Sequence, residues 1–361
     1  MLYHLLFPLS DVYPVFNVFR YITFRAAGAI LTALVLSLLL GPWCIRTLRR
    51  LSVGQSIREE GPQSHQGKAG TPTMGGLLIL LALLSGTLLW ADLTNPYIWL
   101  VVGTTTAFGA IGFADDYLKV VRRHNKGLSA RAKFALQLAV AGGAGLALLH
   151  LPLEIPFDPN LTFPFFKDLV LPLGVFYVPF LMLVLVGCSN GVNLTDGLDG
   201  LAIGATLVAS STYAIFTYVA GHNGIASYLQ VPFVPQVGEV AIFCAALGGA
   251  SLGFLWFNAH PAEVFMGDVG SLAIGAAIGT VAVLAKQELL LVIVGGLFVL
   301  EALSVILQVA SFKLTGKRVL KMAPLHHHFE LSGWAESKII VRFWIAGLIF
   351  ALIGLATLKL R

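Results

Sequence analysis

The sequence predicts an all-α, polytopic integral membrane protein with about ten transmembrane helices, on three observations. Hydrophobic residues fill 57% of the 361 positions and charged residues only 11%, whereas a soluble domain carries about a quarter charged. Ten apolar segments approach the roughly 20 residues that a bilayer requires of a helix. The Lys and Arg residues fall almost entirely in alternate connections between those segments. The same composition excludes intrinsic disorder, which needs low hydrophobicity and high charge.

The elements follow in order. The first 25 residues are interrupted by Asp11, Arg20 and Arg25 and have no small-residue cleavage site, so 1–25 reads as an interfacial segment leading into an uncleaved first span. Spans are expected at 26–45, 75–90, 97–114, 132–150, 169–187, 198–220, 238–257, 269–285, 289–312 and 339–358. The second is short and is expected to extend back into the preceding loop. A single integral membrane domain covers 1–361, with no internal repeat and no soluble insert.

Sidedness follows from Lys and Arg. Loops after the odd spans hold 5, 6, 0, 0 and 5, counting Lys133 at the mouth of the fourth span, and loops after the even spans hold 0, 1, 0 and 1. Positive charge stays inside. The loops at about 46–74, 115–131, 188–197, 258–268 and 313–338 are therefore expected in the cytoplasm, and both termini in the periplasm. Cys44, Cys188 and Cys244 are scattered in or beside apolar runs and read as small buried hydrophobes, not as a disulfide framework or zinc site.

The acids gather on one side of this layout. Asp115 and Asp116 end the third span, Asp196 and Asp199 open the sixth, and Asp268 opens the eighth. Glu301 is the only acid deep within a span; it is expected to hydrogen-bond to a neighbouring helix and to matter more for stability than for turnover. A transporter would instead place its ionisable groups near the midplane. Clustered surface carboxylates suit a hard divalent cation, and Mg²⁺ usually shares one or two carboxylates with substrate phosphates. Lys68, Lys119, Lys126, Arg131 and Lys133 lie in or beside the same loops and suit phosphate oxygens. Metal, phosphate and membrane together point to phosphoryl transfer involving a lipid.

Each motif carries a plain reading beside the functional one. In 112–119 (GFADDYLK), Asp115 and Lys119 make an ordinary i,i+4 pair, yet acids at a helix C-terminus oppose its dipole. In 190–200 (NGVNLTDGLDG) a helix cap accounts for Thr195 or Asp196, but not for two asparagines, two aspartates and three glycines together. In 258–271 (NAHPAEVFMGDVGS) Asp268 serves equally as an N-cap, while Asn258, Phe265 and Gly267 suit an aromatic-walled base pocket. Thr73, within 71–76 (TPTMGG), belongs to a common helix entry. His326, His327 and His328 are consecutive and cannot share one helical face; in a loop with Lys317, Arg318 and Lys321 they can donate to phosphate or sugar, or simply be solvated.

Taken together, the strings 70–76 (GTPTMGG), 112–119 (GFADDYLK), 193–200 (NLTDGLDG), 254–258 (FLWFN), 265–271 (FMGDVGS) and 322–328 (MAPLHHH) resemble the phospho-N-acetylmuramoyl-pentapeptide transferase family. That family lies within the polyprenyl-phosphate N-acetylhexosamine-1-phosphate transferase superfamily. The aspartate strings are shared across the superfamily, and the His triplet points to this branch. The resemblance implies a ten-helix enzyme of the bacterial inner membrane, usually a homodimer, with its active site facing the cytoplasm. It implies transfer of phospho-MurNAc-pentapeptide from UDP-MurNAc-pentapeptide to undecaprenyl phosphate, giving lipid I and UMP, with Mg²⁺ required and no nucleic-acid partner. Asp268 is then the metal ligand, with Asp115, Asp116, Asn193, Asp196, Lys119 and Lys133 at the catalytic centre. Lys68, Thr73, Asp199, Asn258, Phe265 and Gly267 contact the substrate, and His326, His327 and His328 close over the sugar diphosphate. Gly191 and Ala69 depart from the family pattern without touching those roles. A sister transferase moving GlcNAc-1-phosphate is the alternative, with a transporter a more distant one.

Overall fold

The computed structural model describes residues 1–51, 70–120, 127–153 and 155–359. Among them, nine helices are long and apolar enough to cross a membrane, and Gly76–Trp90 adds a shorter apolar one. In chain order the helices are α1 (Leu2–Leu6), α2 (Ile22–Arg50), α3 (Gly76–Trp90), α4 (Pro96–Val120), α5 (Ala130–His150), α6 (Tyr177–Thr195) and α7 (Leu201–Ala220). They continue as α8 (Asn223–Leu229), α9 (Val240–Asn258), α10 (Gly267–Leu284), α11 (Leu291–Val294), α12 (Gly296–Thr315), α13 (Leu325–Glu330) and α14 (Glu336–Ala356).

The centre is built from α9 and α10. Every residue of α10 from Val269 to Leu284 is buried, and its glycines explain how. A Cβ on Gly76 of α3 would lie 2.1 Å from the Gly270 nitrogen, and one on Gly275 would lie 2.4 Å from the Ser189 Cα of α6. Lipid tails are as apolar as leucine, so helices associate in a membrane through such close backbone approach. The outward faces of α2, α12 and α14 carry exposed Leu, Ile and Val, as membrane contact requires.

Several boundaries differ from those expected. The second span does not extend back: before Gly76 the chain is non-helical, with Gly70 and Met74 at positive φ. There it bonds across to the start of α10, Phe265 N donating to Pro72 O and Gly75 N to Phe265 O, both at 2.8 Å. The fifth span begins at Tyr177 rather than 169, because 160–172 forms a hairpin of β1 (Asn160–Phe163) and β2 (Phe166–Pro172) ended by Pro172. This carries Asn190 and Asn193 into α6. The ninth span breaks at Gly295 into α11 and α12. Helix also invades the expected loops: α2 runs on to Arg50, α4 to Val120, α6 to Thr195 and α12 to Thr315, and α13 forms within 313–338.

The two ends of the bundle differ. One holds the five aspartates. At the other, Arg25 is buried and donates to both oxygens of Glu239 at 2.7 and 2.5 Å. The Met1 amine donates there to Leu88 O at 2.8 Å, and Lys359 donates to Tyr228 O at 3.2 Å, so the first and last described residues lie at the end away from these five aspartates. Lys286 is also buried at that end, donating to Asp158 O of the segment before β1 and pairing with Glu288.

Candidate active site

The site begins with a glycine. A Cβ on Gly112 of α4 would fall 2.1 Å from the Asp268 carbonyl oxygen, so α4 and α10 touch backbone to backbone at this point. One turn further along α4, Asp115 and Asp116 arrive beside the Asp268 side chain. Carboxylate oxygens of the three lie within 4.8 Å of one another. Asp116 is held from below: its Oδ2 accepts from Val269 N at 3.1 Å, and it fits because Gly267, at φ 73°, has no side chain to strike it. Asp115 Oδ1 accepts from Leu128 N at 2.8 Å.

Two lysines cross the cluster. Lys119 Nζ contacts Asp115 and lies 3.0 Å from Asp268 and 4.0 Å from Asp116. Lys133, on the first turn of α5, donates to Asp268 at 2.8 Å and lies 4.0 Å from Asp115. Asn193 of α6 donates to the other oxygen of Asp268 and to Ser271 Oγ, both at 2.8 Å. Asp268 is thus gripped from α4, α5 and α6 at once, an arrangement that fixes its direction. Three carboxyl groups meet two ammoniums in this cluster. With both lysines already engaged by carboxylates, the cluster gives a diphosphate little attraction unless a cation joins it, and the oxygen-only donor set is of the kind that Mg²⁺ or another hard divalent ion takes.

Asp196 lies in the turn between α6 and α7, half-buried, with no hydrogen-bond partner for its carboxyl among the described residues. Desolvation pushes this carboxyl well above the ordinary carboxylate range, and the charges of Asp268, Asp116 and Asp199 push it further. Asp199 turns away from the triad. Its Oδ2 accepts from His260 Nδ1 and Ala262 N, each at 3.1 Å, while its own N–H donates to Glu336 Oε1 at 3.2 Å. Asp199, His260 and Glu336 form a second group with metal-type spacing. Asn258 is buried with both ends of its amide in use, Oδ1 accepting from Gly200 N and Nδ2 donating to Val264 O, and so ties the two polar turns together.

The remaining expected residues are dispersed around this centre. Thr73 is buried with its Oγ1 3.0 Å from where a Gly267 Cβ would be, and Phe265 is half-buried over the bridge to Pro72. Lys68 lies outside the described residues. The three histidines part company on α13. His326 is buried, with Nδ1 3.2 Å from Glu301 Oε2. His327 Nδ1 meets Glu330 at 2.7 Å, and His328 Nδ1 accepts from Lys321 N at 3.2 Å. Sequence reasoning did not single out Ser271, His260, Glu336, Gly112 or Gly197 as site residues. The glycines carried a signal, since each sits within an acidic string; Glu336 fell in the expected loop 313–338, outside any acidic string, and the structure makes it the first residue of α14.

Comparison with known proteins points to one family. Residues 98–286 match the model of glycosyl transferase family 4, and residues 68–80 match the first signature of phospho-N-acetylmuramoyl-pentapeptide-transferase. Curated relatives of that name align from end to end: 61% identity with the protein of Desulfatibacillum aliphaticivorans, covering 100% of both chains. The protein of Oleidesulfovibrio alaskensis is 60% identical and that of Nitratidesulfovibrio vulgaris strain DP4 62%, again over 100% of each. A cluster of aspartates crossed by lysines at one end of a membrane bundle, and this similarity over the whole length, lead to one assignment: the chain belongs to the phospho-N-acetylmuramoyl-pentapeptide transferase family.

Proposed function

We propose that the protein transfers phospho-MurNAc-pentapeptide from UDP-MurNAc-pentapeptide to undecaprenyl phosphate, releasing UMP and forming lipid I. The observation that carries this reading is the convergence of Asp115, Asp116 and Asp268 with Lys119 and Lys133 at one end of the bundle. The 16-to-2 partition of Lys and Arg supports a cytoplasmic orientation for that end in the inner membrane.

The acceptor is a phosphate monoester whose second pKa is about 6, so near neutral pH it is mostly a dianion and already nucleophilic. Lys119 and Lys133 stand where they can bind its oxygens and those of the donor diphosphate, exchanging carboxylate contacts for phosphate ones. Asp115 or Asp116 orients the acceptor and takes any remaining proton. Asp268, with Asp115 and Asp116 beside it, would hold Mg²⁺, whose positive charge would offset charge on the departing UMP. Asn193 keeps the Asp268 carboxylate aimed at the cluster. The bond formed joins a lipid phosphate oxygen to the β-phosphorus of the UDP-sugar, and the bond broken joins that phosphorus to the oxygen bridging it to UMP. One phosphoanhydride replaces another.

UMP release by the purified protein tests this. Release is expected to require undecaprenyl phosphate and Mg²⁺ together and to be lost in Asp268→Asn. Release from the native protein without lipid would overturn direct attack in favour of a covalent intermediate or hydrolysis. Absence of release from a folded native protein under every condition would overturn the transferase reading.

A further inference from the structure

Glu301 lies on α12, within a span, and both it and His326 are fully buried. Its partner is not on a neighbouring span. It is an imidazole on α13, the short helix at the aspartate end, with His326 Nδ1 3.2 Å from Glu301 Oε2. The far side of the ring is equally constrained. A Cβ on Gly197 would fall 2.2 Å from His326 Nε2 and 2.8 Å from its Cε1, so the ring lies edge-on against the Gly197 backbone. Gly197 directly follows Asp196 in the turn that closes α6. A second contact joins the same two spans: a Cβ on Gly191 of α6 would meet Phe298 O of α12 at 3.4 Å.

We propose that Glu301 is a positioning residue for the transfer reaction, acting through His326 on the Asp196–Gly197 turn. The two side chains meet as a buried charge contact without hydrogen-bond geometry, since neither Glu301 oxygen and neither ring nitrogen has a hydrogen-bond partner among the described residues, and that contact holds the Nδ1 edge of the ring towards α12. The fixed ring supports the turn that carries Asp196 towards Asp268 and Asp116. Without the carboxylate charge the Nδ1 edge of the ring loses this contact, and the ring and the Gly197 turn packed on its other edge can shift together. A carboxylate buried this deeply is costly to retain unless something compensates. A helix tie alone would be satisfied by an apolar contact of the same shape. The proposal rests on the transferase reading, and native turnover is the control that separates the two.

The test uses the purified full-length protein, UMP release as a function of UDP-MurNAc-pentapeptide concentration, and thermal melting. Glu301→Gln is expected to lower kcat by about 10- to 100-fold, the range seen when an imidazole loses its orienting partner. The KM for the UDP-sugar should change by no more than about twofold, and the same substitution in a His326→Gln background should cost less than about twofold more, because the path runs through one side chain. Ser304→Ala, which removes a hydroxyl bonded only to the Glu301 carbonyl of the same helix, is expected to keep the native kcat. Native kcat in folded Glu301→Gln would overturn the proposal, as would an undiminished loss in the His326→Gln background. If Glu301→Gln does not fold, Gly197→Ala decides: it displaces the same ring from the opposite side, so a kcat loss that His326→Gln does not deepen supports the proposal, and an unchanged kcat overturns it. No turnover in the native protein would instead remove the transferase reading itself.

Discussion

Two aspartates three positions apart, Asp196 and Asp199, have opposite surroundings. Asp199 accepts hydrogen bonds from His260 and Ala262, whereas Asp196 faces other carboxylates from a desolvated turn. Its carboxyl is therefore raised well above its ordinary value of 3.8 in the folded chain. Below that ordinary value both folded and unfolded chains hold the proton, and Asp196 leaves stability unchanged. As pH rises past 3.8 the unfolded chain loses the proton first, so in this window the folded state binds more protons and stability falls with rising pH. In chelator-treated protein, Asp196→Asn is expected to flatten that part of the melting-temperature profile and to raise the melting temperature near neutral pH. An unchanged slope would mean that Asp196 ionises normally in the fold. At this scale the acids were legible, because a carboxylate at the end of an apolar span is conspicuous. Their partners were not: Asp268 finds Lys133 135 positions away and Asp199 finds Glu336 137 away, and no local pattern records such pairings.

Among elements, the decisive contact is the crossing of α4 and α10 at Gly112. Any side chain there meets the Asp268 carbonyl oxygen and Val269 N, at 2.1 and 2.6 Å from an added Cβ. Gly112→Ala is expected to destabilise the protein by about 1–3 kcal/mol, the usual cost of overpacking. It should also abolish turnover, since separating the helices separates Asp115 and Asp116 from Asp268. Gly103 on the same helix has open space around its Cβ position. Gly103→Ala is accordingly expected to retain full activity and to melt no lower than the native chain, alanine being the better helix former. Equal behaviour of the two variants in melting and UMP-release assays would contradict the crossing. The number of apolar elements was readable from hydropathy because each needs its own apolar run. Their ends were not, since polar residues such as Asn190, Asn193 and Asp115 extend helices when a neighbouring segment supplies partners, as Gln137 of α5, Asp268 of α10 and Leu128 of the turn before α5 do here. The hairpin at 160–172 was hidden for a related reason: 169–172 is as apolar as a span, and only Pro172 and Gly174 mark the break.

Across the whole molecule, charge separates by function. The end holding the termini ties its charges into fixed pairs, Arg25 with Glu239 and Lys286 with Glu288. At the aspartate end the carboxylates outnumber the lysines that cross them, which leaves capacity for a cation and an anionic substrate. UDP-linked sugars are cytoplasmic reagents in the proposed reaction, so that reaction calls for the aspartate end to face the cytoplasm, and the positive-inside count supports the same orientation. Ser129 caps α5 at the aspartate end and is exposed; Thr94 precedes α4 at the opposite end and is exposed too. Cysteines placed singly at these positions, with Cys44, Cys188 and Cys244 replaced, should respond oppositely to a membrane-impermeant maleimide. In intact spheroplasts Thr94→Cys is expected to label and Ser129→Cys to label only after the membrane is opened. The reverse pattern would put the lysines and aspartates outside, where no UDP-sugar reaches them, and both the orientation and the reaction would fall together.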